Sequence, residues 1–288
     1  MIRVGTRDSG LALAQTNIFI RTAAAHTDTV MTVKTIKTAG DTDQTTDLKD
    51  MGGYGAFVRE LDNALIAEEI DISVNSMKDV PVFRDERIVI GAVLPRASCE
   101  DVVLPMRLDE LPLGATIGSS SVRRAMIVHA LRPDLNIKGL RGNLGTRLNK
   151  LDMGEYDAII LAKAGLDRLG IRRDMHVLST DDFVPAPGQG AIAAVCRSGD
   201  DDIISILKKV DDADTRMETQ AERTIMKIMG GICSSPIGIN AKRDGGKLII
   251  KAVFFDGTVL RKCNSAIPLD HSISDLERIA AELKGVSE

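Results

Sequence analysis

The sequence predicts an α/β protein: two α/β lobes followed by a small C-terminal α+β domain. Three observations carry this expectation. Strand and helix signals alternate through the first two thirds of the chain, the pattern of βαβ units with mainly parallel sheets. The alternation comes in two blocks joined by a turn-rich stretch, Phe183-Val184-Pro185-Ala186-Pro187-Gly188-Gln189-Gly190. From about Asp211 the texture changes to helix, three strands, helix. The length, 288 residues, exceeds one hydrophobic core and agrees with two or three domains.

In the first block Ile2–Thr6 reads as a strand, and Ser9 can cap a helix through Leu11, Leu13 and Ile18. Val30–Ile36 alternates apolar and polar residues as a strand does. Gly52-Gly53-Tyr54-Gly55 opens a helix with Phe57, Leu61, Ala64 and Leu65 on one face, and Ile70–Val74 follows as a strand. In the second block the strands are Asp101–Leu104, Thr116–Gly118, Asn136–Leu140 and Ala158–Leu161. Ser119–Ser121 caps a helix through Leu131, another helix opens near Asn143, and a short one runs to Leu169. Ala191–Cys196 is apolar enough for a buried strand and is placed back in the first block. The C-terminal part reads as a helix over Thr215–Met229, strands Ile237–Ala241, Lys247–Val253 and Thr258–Lys262, and a helix over Ser274–Leu283. The expected domains are therefore 1–92 with 184–209, then 93–183, then 210–288.

The composition narrows the function classes. A net charge of −4 is not that of a chain built to bind nucleic acid. No apolar run is long enough to span a bilayer, and Met1–Thr6 reads as a strand with no signal peptide, so the cytoplasm is the expected compartment. Cys99, Cys196, Cys233 and Cys263 form no CxxC pair and no regular spacing, which argues against a disulfide framework or a metal site. No strip of exposed apolar residues is evident in the sequence, and a monomer is expected.

Against that acidic background one stretch is basic. Ser119 to Arg147 holds six Lys or Arg (Arg123, Arg124, Arg132, Lys138, Arg141, Arg147) and one acid, Asp134. Arg123-Arg124 lies just inside a predicted helix N-terminus, and Arg141-Gly142-Asn143 at a strand-to-helix junction, where open α/β sheets bind ligands. Helix N-termini favour anions, Ser119, Ser120 and Ser121 add hydroxyls, and guanidinium forks suit carboxylates. The competing reading is a solvated basic face. Lys78-Asp79, after a buried strand, is either a carboxylate held beside cations or an ordinary turn before Val80-Pro81. Gly230-Gly231-Ile232-Cys233-Ser234-Ser235-Pro236 sets one cysteine among small polar neighbours, a candidate nucleophile or attachment point, whereas Cys196 reads as core.

Eight segments in order and spacing resemble the hydroxymethylbilane synthase (porphobilinogen deaminase) family. They are Gly5-Thr6-Arg7-Asp8-Ser9, Gly52-Gly53-Tyr54-Gly55-Ala56-Phe57, Asn75-Ser76-Met77-Lys78-Asp79-Val80-Pro81, Gly118-Ser119-Ser120-Ser121-Val122-Arg123-Arg124, Leu140-Arg141-Gly142-Asn143-Leu144-Gly145-Thr146-Arg147, Asp157 to Leu166, Pro187-Gly188-Gln189-Gly190-Ala191 and Cys233-Ser234-Ser235-Pro236-Ile237-Gly238. The resemblance implies two lobes of periplasmic-binding-protein type with the active cleft between them, and a third domain carrying the cofactor cysteine. It implies a dipyrromethane primer on Cys233, made from the substrate porphobilinogen, and Asp79 as the catalytic carboxylate. It implies further that Lys78, Ser119, Ser120, Ser121, Arg123, Arg124, Arg141 and Gly142 hold the primer. Arg7, Ser9, Arg147, Arg168 and Gln189 would then make up the substrate side, the first four binding substrate carboxylates and Gln189 lying in a segment resembling an inter-domain crossing. Neither a metal nor a nucleic-acid or membrane partner is implied. Tyr54 stands where many members have Lys, and Asn75 where a His is common. The rival readings are a two-lobed anion- or solute-binding module without catalysis, and a DNA-linked effector sensor, which would carry a helix-turn-helix segment ahead of Met1.

Overall fold

In this computed structural model residues 1–38, 58–231 and 236–285 are described. Tyr54, the start of the helix expected after Gly55, and Cys233 with Ser234 and Ser235 lie outside them. The described elements of the first lobe begin with β1 (Ile2–Arg7), α1 (Gly10–Ala24), β2 (Met31–Ile36), α2 (Arg59–Ile66), β3 (Ile72–Ser76) and β4 (Ile88–Val93). Then come β5 (Asp101–Leu104), β6 (Thr116–Gly118), α3 (Val122–Leu131), β7 (Asn136–Lys138), α4 (Leu144–Asp152), β8 (Ala158–Ala162), α5 (Lys163–Arg168) and β9 (His176–Val177). The chain continues through β10 (Ile192–Arg197), α6 (Asp201–Lys208), α7 (Ala213–Ile228), β11 (Ile237–Asp244), β12 (Lys247–Phe255), β13 (Leu260–Pro268) and α8 (Ile273–Lys284).

The chain divides into two compact units, Met1–Ala97 with Gly190–Met217, and Ser98–Gln189 with Glu218–Glu288. In the first, one five-stranded sheet runs β2-β1-β3-β10-β4. Its helices cover both faces because the strands are apolar on both. Val4, Ile72, Val74 and Ala194 pack against Phe19 of α1 and Leu207 of α6, while Ile88 and Val195 pack with Leu61 and Leu65 of α2. The second unit holds a five-stranded sheet, β7-β6-β8-β5-β9, and an antiparallel three-stranded sheet, β11-β12-β13. One face of the three-stranded sheet carries α8, whose Leu276, Ile279 and Leu283 are buried. Val253 of β12 joins the core formed by Phe183, Val184 and Ile127.

The expected mixture of two α/β lobes and a small α+β part is therefore present. The expectation of mainly parallel strands is not met. β1 is parallel to β2 and β3, and β6 to β7 and β8, but β10 is antiparallel to β3 and β4, and β5 to β8 and β9. The chain reaches β5 and β10 by passing from one unit to the other, after Ala97 and after Gln189, not through a βαβ crossover inside one sheet. The rule that makes such crossovers parallel does not act on them. The last strand also shifts from the expected Thr258–Lys262 to Leu260–Pro268. Asp256 Oδ1 accepts the N–H groups of Thr258 and Val259, each at 2.9 Å, so these residues belong to the hairpin turn.

Candidate functional site

The parallel neighbours β1 and β3 end at the same edge of the first sheet. β1 delivers Arg7, and Ser9 caps α1 by accepting the Ala12 N–H at 3.3 Å. β3 runs into a single 3-10 turn, Met77–Asp79, which carries Lys78 and Asp79. The turn is held from behind. Met77 N–H donates to the Ala191 carbonyl at 3.1 Å, Val80 N–H closes the turn on the Met77 carbonyl at 3.1 Å, and the Met77 side chain is buried with Val80, Val93 and Ala193. Asp79 itself is half-buried, and among the described residues its carboxylate accepts no hydrogen bond and forms no ion pair. Asn75 points inward, buried, with Nδ2 donating to Ser73 Oγ at 3.0 Å, so this departure from the family pattern sits behind the strand end.

In the second unit β7, β6 and β8 are parallel neighbours, and the basic segment is strung along their carboxyl ends. Ser119–Ser121 follow β6, Arg141 and Gly142 follow β7, and Arg168 closes the short helix after β8. The serine hydroxyls build this edge. Ser120 Oγ accepts Leu140 N–H and donates to the Leu140 carbonyl, both at 2.9 Å, which ties the β6 loop to the β7 loop. Ser119 Oγ accepts Ser121 N–H at 3.2 Å, and Ser121 Oγ caps α3 by accepting Arg124 N–H at 3.4 Å.

Arg123 and Arg124 are buried, and between them lies Asp101, which is fully buried. Asp101 Oδ2 accepts from Arg123 and Oδ1 from Arg124, each at 2.7 Å. The remaining forks reach backbone: Arg123 donates to the Val184 carbonyl at 2.7 Å and Arg124 to the Ile160 carbonyl at 2.9 Å. Gln189, also buried, donates from Nε2 to Asp101 Oδ1 at 2.9 Å and to the Cys99 carbonyl at 2.7 Å. Burial alone would raise the Asp101 pKa, but the two guanidiniums outweigh it and hold the carboxyl well below the usual range. One carboxylate facing two guanidiniums leaves one positive charge uncompensated, and Nε of each arginine has no hydrogen-bond partner.

The other expected cations of this unit lie on the loops and helices after β7 and β8. Asn143 caps α4 by accepting Thr146 N–H at 2.9 Å, and Arg147 Nε donates to the Gly142 carbonyl at 2.8 Å. Gly142 has φ +108°, and a Cβ there would lie 2.7 Å from Thr146 Cγ2, so the junction demands glycine. Burial pulls the Arg168 guanidinium down to about 10, against the opposing field of Asp167. It stays charged at neutral pH, in surroundings that favour an anionic neighbour.

The C-terminal sheet joins the second unit at this cluster. Ile239 N–H donates to the Pro185 carbonyl at 3.0 Å, and Glu222 of α7, fully buried, accepts from Gly188 N–H at 2.6 Å and Ala241 N–H at 2.8 Å. At Gly238 a Cβ would stand 2.6 Å from the Val184 carbonyl oxygen and 3.2 Å from Arg123 Cδ. Gly238→Ala is expected to cost about 1–3 kcal/mol, because the obstacle is backbone that cannot rotate away. An unchanged urea midpoint for that variant would contradict this packing. Among the other cysteines, burial pushes the Cys196 and Cys263 thiols up to about 11, which makes both poor nucleophiles.

Sequence reading did not find Asp101. Its signal was a charged residue opening an apolar strand, Asp101-Val102-Val103-Leu104, but its partners lie more than twenty residues away. Among the described residues no group of three or more His, Cys, Asp or Glu is placed to hold a metal ion, and no helix is long and apolar enough to cross a membrane.

Each of the two α/β units thus carries cationic side chains at the carboxyl ends of parallel strands, Arg7 and Lys78 in the first and Arg141 and Arg168 in the second. Residues 2–205 match the family described as "Porphobilinogen deaminase, dipyromethane cofactor binding domain", and residues 217–285 the one described as "Porphobilinogen deaminase, C-terminal domain". The chain is 43% identical over 256 residues to a probable porphobilinogen deaminase of Nitrosopumilus maritimus, covering 88% of this chain and 82% of that one. It is 38% identical over 289 residues to the porphobilinogen deaminase of Sorangium cellulosum, covering 98% and 96%. Among solved structures it resembles the second substrate binding domain of a putative amino acid ABC transporter from Streptococcus pneumoniae, with TM-score 0.45 and 11% identity over 73% of this chain and 92% of that one. The chain belongs to the porphobilinogen deaminase family.

Proposed function

We propose that the protein is a transferase that joins four porphobilinogens head to tail on a dipyrromethane primer and then releases hydroxymethylbilane by hydrolysis. The observation that carries this reading is the uncompensated positive charge buried with Asp101, Arg123 and Arg124 at the carboxyl ends of parallel strands. The excess positive charge beneath this edge of the sheet favours the carboxylates of an acidic pyrrole chain. The primer, attached by a thioether to Cys233, supplies the free α-carbon to which the first substrate is joined.

Cys233 is three residues from Pro236, and Pro236 leads into β11, which packs beside Arg123 through Gly238. Lys78, Arg123, Arg124, Arg141 and the backbone at Gly142 hold the primer, with Ser119, Ser120 and Ser121 shaping that edge. Arg7, Ser9, Arg147 and Arg168 take the acetate and propionate groups of incoming substrate. Gln189 sets the passage between units through Asp101. Asp79 performs the chemistry. Its unengaged carboxylate accepts pyrrole N–H groups and stabilises the cationic azafulvene as the aminomethyl C–N bond breaks and ammonia leaves. A C–C bond then forms to the α-position, which loses its proton. In this reading residues 210–288 form the third domain, and the chain works in the cytoplasm as a monomer on a small-molecule substrate.

The mass of the intact purified protein tests the proposal. An adduct of two pyrrole units that is absent from Cys233→Ser, with loss of turnover in that variant, is the expected result. An unmodified wild-type chain without turnover leaves only an anion-binding module and overturns it.

A further inference from the structure

Gln15 lies on α1, has no role assigned above, and is 3% exposed. Both ends of its carboxamide meet one hydroxyl: Nε2 donates to Ser76 Oγ at 2.8 Å, and Ser76 Oγ lies 3.2 Å from Oε1, to which it donates in return. A buried carboxamide that lost this partner would keep the full desolvation cost of its polar atoms. Plain core packing at this site would be served by an apolar side chain, as it is at Phe19 and Ala23 on the same helix.

What the bond joins gives it a role. Ser76 ends β3 and immediately precedes the 3-10 turn Met77–Asp79. Gln15 is the sixth residue of the helix that Ser9 caps, two residues after Arg7. The turn is fixed from the β10 side by Met77 N–H on the Ala191 carbonyl, and from the core side by the buried Met77 side chain. The Gln15–Ser76 pair supplies the tie toward α1.

We infer that Gln15 is a positioning residue: through Ser76 it holds the turn carrying Asp79 in register with the α1 N-terminus carrying Arg7 and Ser9. This rests on the role proposed above for Asp79. A carboxylate that must face a developing cation loses much of its effect when displaced by about 1 Å. The cost falls on the chemical step and not on substrate affinity, because carboxylate recognition belongs to the arginines.

The test uses primer-loaded holoenzyme. Gln15→Met keeps a similar volume and removes both hydrogen bonds, and Ser76→Ala removes a single oxygen. Each is expected to lower kcat by about 10–100-fold with KM changed less than about twofold and with primer mass retained; Gln15→Met keeps the melting temperature, whereas Ser76→Ala lowers it by leaving the buried Gln15 carboxamide without its partner. The double variant is expected to be no worse than the worse single one, because both changes break one tie. Wild-type kcat in Gln15→Met, losses that multiply in the double variant, or an effect confined to KM each overturn the inference. Wild-type protein without primer or turnover would instead bring down the proposed function on which it rests.

Discussion

Asp101→Asn is expected to destabilise the protein by about 3–5 kcal/mol, the cost of removing one partner from a buried ion cluster. Asn keeps the shape and one acceptor oxygen, but it leaves two buried guanidiniums facing each other with no anion between them. The loss spreads because the cluster is a junction. Asp101 opens β5, Arg123 and Arg124 belong to α3, and their remaining forks fasten Val184 and the Ile160 carbonyl of β8. Gln189 adds the passage between units to the same carboxylate. The effect has a defined pH signature. The folded pKa of Asp101 is depressed, so its contribution is complete above the unfolded value, about 3.9, and is lost as pH falls toward the folded one. The gap between wild type and Asp101→Asn should therefore hold from neutral pH to about 5, then narrow by about 1.4 kcal/mol per pH unit below about 4. Urea titrations at several pH values measure it. A gap under about 1 kcal/mol at pH 7, or one that widens in acid, would show that the two arginines are satisfied without this carboxylate.

The same cluster shows what a sequence conceals. Local rules were legible. Ser9, Ser121 and Asn143 each cap a helix at the expected place, because a cap needs only a side-chain oxygen and the next turn of backbone. The placing of Arg141 at a strand-to-helix junction followed from the same local signals. Pairings set by tertiary structure were not legible. Asp101 meets Arg123 and Arg124 across two elements, and Gln15 meets Ser76 across 61 positions. No periodicity marks either. The strand β4 escaped notice because its pattern, Ile88-Val89-Ile90-Gly91-Ala92-Val93, is an apolar run with no alternation. β9 is two residues long and carries too little signal. α6 was there to be read: Asp200 caps it, and Asp201 and Asp202 occupy its first turn. The antiparallel strands β5 and β10 follow from how the chain crosses between units, which strand patterns do not encode.

Asp79→Asn is expected to lower kcat by about 100- to 1000-fold while leaving the fold intact, the usual scale for removing a group that stabilises transition-state charge. The fold should survive because nothing in the turn depends on this carboxylate. Met77 anchors the turn through its backbone and its buried side chain, Ser76 through Gln15, and among the described residues the Asp79 oxygens hold no partner. An exposed or buried structural aspartate would normally cap a helix or pair with a cation, as Asp71, Asp200 and Asp101 do. An aspartate held rigidly with its acceptors unspent is instead prepared for a ligand, and a pyrrole N–H is a donor that suits it. Asparagine preserves hydrogen-bond acceptance at one oxygen but carries no charge, so substrate binding should change little while stabilisation of the cation is lost. The separation of kcat from KM thus carries the argument. A variant with a raised KM and normal kcat would make Asp79 a binding residue. A variant with normal turnover would move the chemistry to another group.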